Sequence, residues 1–227
     1  MIDIHSHILP AVDDGSANIE QSLSMLKEEH KQGVTDIVLT PHYRADYLPR
    51  REKIQEKFAE LKAAAAENKI PVSLYLGQEI YAFSDMVKAI DDGKLLTFCG
   101  GKHVLVEFST KHVMDIGETV YMLIRGGYIP IVAHIGRYFY ADKDTAREVK
   151  ELGGLIQINA NSVCSPFFYR RKVFSMIKEG LVDFVASDVH FKRKNFMRKA
   201  YKIIAKKFGT QTADKLFTEN AAVIVKN

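Results

Sequence analysis

The feature that most constrains the fold of this sequence is a short apolar run that ends in a potential metal ligand, and it occurs six times. The first run leads directly from Ile2 into His5 and His7. Because alternate residues of a strand share a face, these two imidazoles can reach one metal ion together. The other runs end in the same kinds of side chain, at His42, Glu79, Glu107, His134, and Asp188 with His190. The pattern therefore predicts a site assembled from the ends of many strands.

Strand and helix patterns alternate along the chain, which predicts an α/β fold. Seven strand-like runs begin near residues 2, 36, 72, 104, 130, 155 and 183. Helix-like stretches lie at about 18–32, 50–67, 84–92, 113–126, 142–152, 166–180, 194–208 and 212–219. Seven βα units with their polar residues at the carboxyl ends of the strands favour a barrel close to the TIM type. An open, doubly wound sheet is the alternative, because it also places ligands at those ends.

Length and composition indicate one domain, residues 1–227, in the cytoplasm. A chain of 227 residues suits a single large α/β domain. No run approaches the roughly eighteen apolar residues of a membrane span, and the N-terminus lacks the pattern of a secretory signal. Two cysteines, Cys99 and Cys164, do not make a disulfide framework, which favours a compartment with reduced thiols.

The candidate ligands indicate a cluster of metal ions. Imidazole nitrogen and carboxylate oxygen without thiolate suit Zn, Mn or Fe(II). Asp14, in the loop after the first run, brings the candidates to nine, which is more than one ion needs. Two or three ions, with Glu79 as a bridge, would stabilise both attacking and leaving oxygens of a phosphate ester and lower the pKa of a bridging water. Three other histidines lack such partners and are interpreted as structural: His30, His103 and His112.

Several segments resemble the polymerase-and-histidinol-phosphatase (PHP) superfamily. They are residues 1–10, Asp13-Asp14-Gly15, Thr40-Pro41-His42, Gly77-Gln78-Glu79-Ile80, Gly127-Tyr128-Ile129-Pro130 and Ala186-Ser187-Asp188. Within that superfamily, nearly the whole chain resembles the manganese-dependent tyrosine phosphatases of bacterial capsule and exopolysaccharide operons, the CpsB/YwqE type. The resemblance implies a distorted (β/α)7 barrel with three metal ions at its C-terminal face.

The resemblance also implies a ligand set and a substrate. The first ion would be held by His5, His7, Glu79 and Asp188, the second by Glu79, Glu107 and His134, and the third by Asp14, His42 and His190. Mn²⁺ would be the metal, although Fe or Zn suit the same ligands. The substrate would be a phosphotyrosine protein, namely a bacterial tyrosine kinase whose tyrosine-rich tail is phosphorylated and which regulates capsule or exopolysaccharide synthesis.

Arginine is the residue best suited to bind the phosphate group, because its planar guanidinium contacts two oxygens at once. The family often shows His-Pro-Glu-Arg where this chain reads His134-Ile135-Gly136-Arg137, so Arg137 is the candidate transition-state clamp. A second family arginine follows the last histidine, where either Arg193 or Lys194 can take its place. Attack by a metal-bound hydroxide is expected. His42 and Asp188 lie where the leaving tyrosinate could be protonated, although both are also assigned as ligands.

A cysteine motif offers a different phosphatase mechanism. Cys164 and Arg170 match the C-x5-R spacing of cysteine-dependent phosphatases. Such a loop must direct consecutive backbone N–H groups at phosphate, and Pro166 removes one of them while the aromatic residues 167–169 crowd the others. We therefore expect no phosphocysteine intermediate.

Three other functions can be compared with a tyrosine phosphatase. A small-molecule phosphatase, such as one for histidinol phosphate, could use the same ions. A non-catalytic module that binds a kinase would be expected to lack part of the ligand set. A nuclease would need a surface for nucleic acid, and the basic segment 192–207 is the candidate. Its apolar residues recur at helical spacing, however, so its lysines are interpreted as the solvated face of a helix. The net charge of +4 also makes nucleic acid an unexpected partner.

Overall fold

The central sheet consists of parallel strands whose carboxyl ends lie at one end of the fold. The computed structural model describes residues 1–225, and for residues 167–169 it describes the backbone alone. Within that range the strands are β1 (Ile2–Ser6), β2 (Asp36–Leu39), β3 (His42–Tyr43), β4 (Ser73–Leu76), β5 (Glu79–Tyr81), β6 (His103–Glu107), β7 (Ile129–Val132), β8 (Leu155–Asn159) and β9 (Phe184–Ala186). All seven predicted runs are strands. The two-residue β3 and three-residue β5 extend the second and third runs.

The sheet curls until its first and last strands meet. The order β1-β2-β4 continues into β3-β5-β6-β7-β8-β9, because β2 leads into β3 and β4 into β5. At the other edge the His7 N–H donates to Val189 O at 3.0 Å, and the Asp188 N–H donates to His5 O at 2.9 Å. The predicted α/β fold with a curled parallel sheet is therefore confirmed, and the open, doubly wound alternative is wrong.

Helices connect successive strands and cover the outside of the sheet. They are α1 (Ile19–Gln32), α2 (Arg51–Glu67), α3 (Met86–Asp91), α4 (Ile116–Arg125), α5 (Lys143–Glu151), α6 (Ala160–Cys164), α7 (Phe167–Lys178), α8 (Met197–Phe208), α9 (Thr210–Asp214) and α10 (Asn220–Val225), with a π-helical turn at Lys215–Glu219. The first helix begins where Asn18 accepts a hydrogen bond from the Gln21 N–H, and it ends at Gly33, whose φ is 89°. The five-residue α6 was not predicted, and the last helical segment is longer than predicted.

Apolar side chains fill the barrel interior at the amino ends of the strands. Ile4, Val38, Leu105 and Ile131 are buried there, and Ile224 of α10 packs against the same cluster. Along the chain, the candidate ligands His5, His42, Glu107 and His134 follow these four strand residues. No helix within residues 1–225 is both long and apolar enough to cross a lipid bilayer.

Candidate metal centre

The nine predicted ligands lie together at the carboxyl ends of the strands. They form four overlapping groups, and within each group the ligand atoms lie within 4.8 Å of one another. The groups are His7, Asp14, His42 and His190; His5, Glu79 and His134; His5, His7 and Asp188; and His42, Glu79 and Glu107. The resemblance implied a third ion held by Asp14, His42 and His190, and the structure adds His7 to these three. The resemblance also placed Glu107 and His134 on the same ion, whereas here they belong to different groups. In the described residues His30, His103 and His112 lie outside all four groups.

Glu79 lies at the centre of the cluster, where its carboxylate contacts four of the histidines. Its Oε1 is 3.2 Å from His5 Nε2 and 2.8 Å from His134 Nε2. Its Oε2 is 3.3 Å from His7 Nε2 and 2.8 Å from His42 Nδ1. Burial by itself raises the pKa of Glu79, but the neighbouring His5 and His42 rings outweigh burial and hold this pKa well below its ordinary value. The carboxylate is therefore ionised and available as a bridging ligand.

Two histidine rings direct their Nε2 atoms at each other. His5 Nδ1 lies 3.2 Å from Gln157 Oε1, and His7 Nδ1 lies 2.8 Å from Asp13 Oδ2. Because both partners accept hydrogen bonds, each ring donates from Nδ1 and presents Nε2 to the cluster. The two Nε2 atoms are only 3.2 Å apart. Two imidazole nitrogens at that distance fit a shared metal ion, which would take the place of any Nε2 proton.

Buried polar atoms without a hydrogen-bonding partner also indicate a bound metal ion. His42 Nδ1 and Glu79 Oε2 are 2.8 Å apart, yet neither atom has a hydrogen-bonding partner among the described residues. Glu107 Oε2 and His134 Nδ1 are likewise buried without a partner in that range. Buried polar atoms in folded proteins are nearly always satisfied. Lone pairs of this kind are satisfied when they coordinate metal ions, and nitrogen and carboxylate oxygen suit Mn, Fe(II) or Zn.

Backbone strain marks two of the candidate ligands. His134 and Asp188 have φ values of 30° and 51°, in the left-handed region that residues other than glycine seldom adopt. Hydrogen bonds hold both residues there, because the His134 N–H donates to Gln157 Oε1 at 2.6 Å and the Asp188 N–H donates to His5 O. Strain held in this way is common where a side chain must be directed into a site.

Residues that the sequence analysis missed orient the candidate ligands. On β8, the Gln157 amide donates to Asn159 Oδ1 at 2.8 Å, and the Asn159 amide donates to Asp188 Oδ2 at 2.6 Å. Asp13 accepts from both His7 Nδ1 and the His42 N–H. The β8 run ends in amides rather than in His, Asp or Glu, so the pattern of strand ends did not include it. Its alternating polar residues, Gln157 and Asn159, were the available signal.

Ion binding must displace a proton from one carboxyl near neutral pH. Burial and the negative charge of Glu79 raise the pKa of Glu107 to about 7. Burial also acts to raise the pKa of Asp188, but the His5 and His134 rings outweigh it and lower this pKa to about 2. Because metal ligation requires the ionised form, Glu107 competes with protons for the ion, whereas Asp188 does not.

Of the basic candidates, Arg137 contacts the cluster directly, because its Nη1 lies 3.5 Å from Asp188 Oδ2. Lys194 is exposed, and its Nζ lies over the Phe196 ring, 5.6 Å from the centroid. Arg193 is also exposed, and its backbone N–H donates to His190 O at 3.0 Å. The structure therefore brings Arg137 to the cluster.

Two further interpretations can be compared with the structure. Burial raises the pKa of the Cys164 thiol, the opposite of what a cysteine nucleophile needs, and the side chains of 167–169 in that motif lie outside the described residues. Aromatic residues near the strand ends can either line the space for a leaving group or pack in the core. Phe108 is fully buried, whereas Tyr47 stacks on His42 with centroids 6.2 Å apart. Tyr47 therefore contacts the candidate ligand His42, as Tyr138 contacts His134 with centroids 5.7 Å apart.

A second polar layer joins the first and last strands behind the ligands. Asp3 accepts hydrogen bonds from the Ser187 N–H at 2.9 Å and from its hydroxyl at 2.5 Å. Glu29 of α1 accepts a hydrogen bond from the Asn195 amide. Burial, and then the carboxylate of Asp3, raises the pKa of Glu29 well above its ordinary value. Glu29 therefore keeps its proton to a higher pH than an exposed glutamate does.

Replacing Glu29 with glutamine should make the stability of the metal-free protein less dependent on pH. Because the folded pKa exceeds the unfolded pKa of about 4.3, the wild type is most stabilised below that pH and loses stability as pH rises through the folded pKa. We expect the variant to gain about 1–2 kcal/mol in free energy of unfolding over wild type at pH 8, and little at pH 5. Urea unfolding at both pH values measures the difference.

The neighbouring Glu28 provides a matched control. It lies on the same helix, but its side chain is 47% exposed. Glu28→Gln should stay within about 0.5 kcal/mol of wild type at both pH values. An equal pH slope in wild type and Glu29→Gln would contradict the assignment of a raised pKa to Glu29.

A family model described as capsular polysaccharide synthesis, CpsB/CapC, matches residues 1–226. A protein named tyrosine-protein phosphatase CpsB, from Streptococcus agalactiae, is 36% identical and covers 100% of this chain and 99% of its own length. A second, tyrosine-protein phosphatase YwqE from Bacillus subtilis, is 33% identical, with coverages of 100% and 92%.

Solved structures agree with these relatives. A structure from work on Bacillus subtilis YwqE and Streptococcus pneumoniae CpsB, described as metal-dependent tyrosine phosphatases, superposes with a TM-score of 0.91. It is 32% identical and covers 100% of this chain and 95% of that one. The histidinol phosphate phosphatase of Lactococcus lactis superposes with a TM-score of 0.56 at 13% identity, over 94% of each chain. The second match shows a shared fold only.

Proposed function

The chain belongs to the CpsB/CapC family of capsular polysaccharide synthesis, and we propose that it is a metal-dependent protein-tyrosine phosphatase. The observation that carries this proposal is the complete set of nine nitrogen and oxygen ligands in four overlapping groups. A non-catalytic relative would be free to lose part of that set. Full-length relatives that carry the name tyrosine-protein phosphatase support the choice of substrate.

We further propose that the nine residues bind two or three ions and that Mn²⁺ is the metal, with Fe and Zn as alternatives. The facing Nε2 atoms of His5 and His7 and the orphaned oxygens of Glu79 and Glu107 support ion binding at these residues. Ions bound there would lower the pKa of a coordinated water and polarise the phosphate oxygens. Cys99 and Cys164 are free thiols and belong to none of the four groups found in the described residues.

The protein's own residues would orient the substrate and balance its charge. Arg137 lies beside Asp188, where its guanidinium can contact phosphate oxygens while the Asn159 amide holds the carboxylate in place. His42 and Asp188 would lie beside a phosphate bound at the cluster, where they could assist the leaving tyrosinate, but both are assigned as ligands. Phenolate leaves readily, so the reaction does not depend on a separate proton donor.

The physiological substrate that we propose is a phosphorylated bacterial tyrosine kinase in the cytoplasm. The family is described as one of capsular polysaccharide synthesis, and a tyrosine kinase would carry the phosphotyrosine that such a phosphatase removes. Free thiols at Cys99 and Cys164 are consistent with a reducing compartment.

The experiment that tests the proposed function compares two substrates in two metal states. Metal-stripped protein is incubated with a phosphotyrosine peptide or with L-histidinol phosphate, without metal and with Mn²⁺, Fe²⁺ or Zn²⁺ added, and phosphate release is measured. We expect release only with metal and a kcat/KM for the peptide at least about tenfold higher, a preference of roughly 1.4 kcal/mol. A preference for histidinol phosphate would favour the small-molecule alternative. Release that is indifferent to metal would overturn the metal mechanism.

A further inference from the structure

A tight turn places an unassigned arginine at the edge of the cluster. The Arg44 N–H donates to Tyr47 O at 2.9 Å, and the Tyr47 N–H donates to Arg44 O at 2.7 Å. The Tyr47 ring stacks on His42 with an interplanar angle of 19°, and the Arg44 guanidinium carbon lies 5.4 Å from the centroid of the Tyr47 ring. The turn is therefore fixed to a candidate ligand at one side and to the guanidinium at the other.

The guanidinium of Arg44 contacts carboxylates from two different ligand groups. Its Nη2 lies 3.4 Å from Asp14 Oδ2, and its Nη1 lies 3.8 Å from Glu107 Oε2. The Arg44 side chain is 28% exposed. Its Nε is buried and has no hydrogen-bonding partner among the described residues. Arg44 thus reaches the cluster, has solvent access and retains an unused donor.

The contacts of Arg44 with Asp14 and Glu107 are long, and they should weaken further when cations occupy the cluster. A carboxylate that coordinates a metal ion has less negative charge to offer a neighbouring guanidinium. The donors of Arg44 are then available to another anion, and a guanidinium fork matches a phosphate better than an ammonium does. Arg137 contacts a different carboxylate, that of Asp188, from a different loop. The two guanidinium groups therefore reach the cluster independently.

We propose that Arg44 binds the phosphate group of a dianionic phosphate monoester, as a second guanidinium beside Arg137. This inference rests on the proposed function, because it concerns the substrate of the same site. The phosphate product shares the recognised group, so inorganic phosphate serves as a probe that requires no turnover.

The test uses the full-length, metal-loaded protein and the variants Arg44→Gln and Arg44→Lys. Calorimetry gives the Kd for inorganic phosphate, elemental analysis gives the metal content, and steady-state assays with a phosphotyrosine peptide give KM and kcat. For Arg44→Gln we expect the Kd and KM to rise about tenfold or more, as for the loss of one charge-assisted hydrogen bond, with unchanged metal content. Arg44→Lys keeps the positive charge but lacks the planar guanidinium fork. Its Kd and KM should therefore lie between those of the wild type and those of Arg44→Gln.

Arg50 provides a matched control, because it is an exposed arginine that precedes α2 in the same connection. Arg50→Gln should leave the Kd, KM and metal content unchanged. An unchanged phosphate Kd in both Arg44 variants overturns the proposal, as does a wild type that binds no phosphate at millimolar concentration. Altered metal content without weaker phosphate binding would show that Arg44 only neutralises Asp14 and Glu107. Weaker phosphate binding in a protein that does not hydrolyse the peptide would retain the role of Arg44 and reject the proposed function.

Discussion

Replacing Glu79 with glutamine is expected to lower kcat/KM for a phosphotyrosine peptide by about 10³-fold, equivalent to roughly 4 kcal/mol of transition-state stabilisation. Glu79 contacts four histidines and belongs to two of the four ligand groups. Glutamine preserves the shape of the side chain but loses its charge and one acceptor oxygen. More than one ion should therefore be held less tightly, and the loss should exceed that from any residue that belongs to one group.

Metal content measured together with kinetics distinguishes this explanation from misfolding. Glu79→Gln should bind at least one ion fewer than wild type, while its circular dichroism spectrum is unchanged. Glu107→Gln, which alters a residue of a single group, should retain more metal and more activity. The exposed Glu118→Gln should behave as wild type. Full metal content and full activity in Glu79→Gln would contradict a bridging role for this carboxylate.

The strand ends could be predicted from the sequence because every candidate ligand except Asp14 belongs to or follows a short apolar run, which favours a buried strand. Parallel strands bring their carboxyl ends to one edge, so His134 and Glu107 are neighbours although nearly thirty residues separate them in the chain. The predicted fold followed from the same argument. The argument favoured a closed barrel, but it left the open sheet as an alternative, because closure depends on contacts between β1 and the residues after β9.

The orientation of the ligands could not be predicted from strand ends alone. Gln157 and Asn159 lie on β8, which corresponds to the one predicted run that leads to no candidate ligand, and their importance comes from contacts with His5, His134 and Asp188. The positive φ of His134 could not be predicted from the sequence either, because it depends on the hydrogen bond from the His134 N–H to Gln157. Long-range hydrogen bonds determine both features.

Loops were the least predictable part of the site. Spacing from the last histidine left Arg193 and Lys194 as equal alternatives for the second basic residue. Arg44 was overlooked because nothing in its sequence context resembles a strand end. A turn of four residues, closed by two backbone hydrogen bonds to Tyr47, returns its side chain to Asp14.

Arg137 is positioned by the short turn Ile135–Arg137 that follows β7. The Arg137 N–H donates to His134 O at 2.8 Å, and Ile135 is fully buried, which anchors the turn in the core. A Cβ added at Gly136 would lie 2.8 Å from Val173 Cγ1. Glycine therefore lets the turn pack closely against α7, and the departure from the family's Pro-Glu pair leaves Arg137 beside Asp188. The Arg137 side chain remains 43% exposed and accessible to substrate.

Arg137→Lys should lower kcat for a phosphotyrosine peptide by about 10²-fold, because lysine keeps the charge but cannot form two parallel hydrogen bonds to phosphate oxygens. Metal content should stay at the wild-type value, since Arg137 is not a ligand, and this separates the variant from Glu79→Gln. Arg125→Lys, at an exposed arginine that packs on Tyr121, is the matched control and should retain wild-type kcat. Steady-state kinetics with elemental analysis measures both variants. A wild-type kcat in Arg137→Lys would show that charge alone suffices at this position.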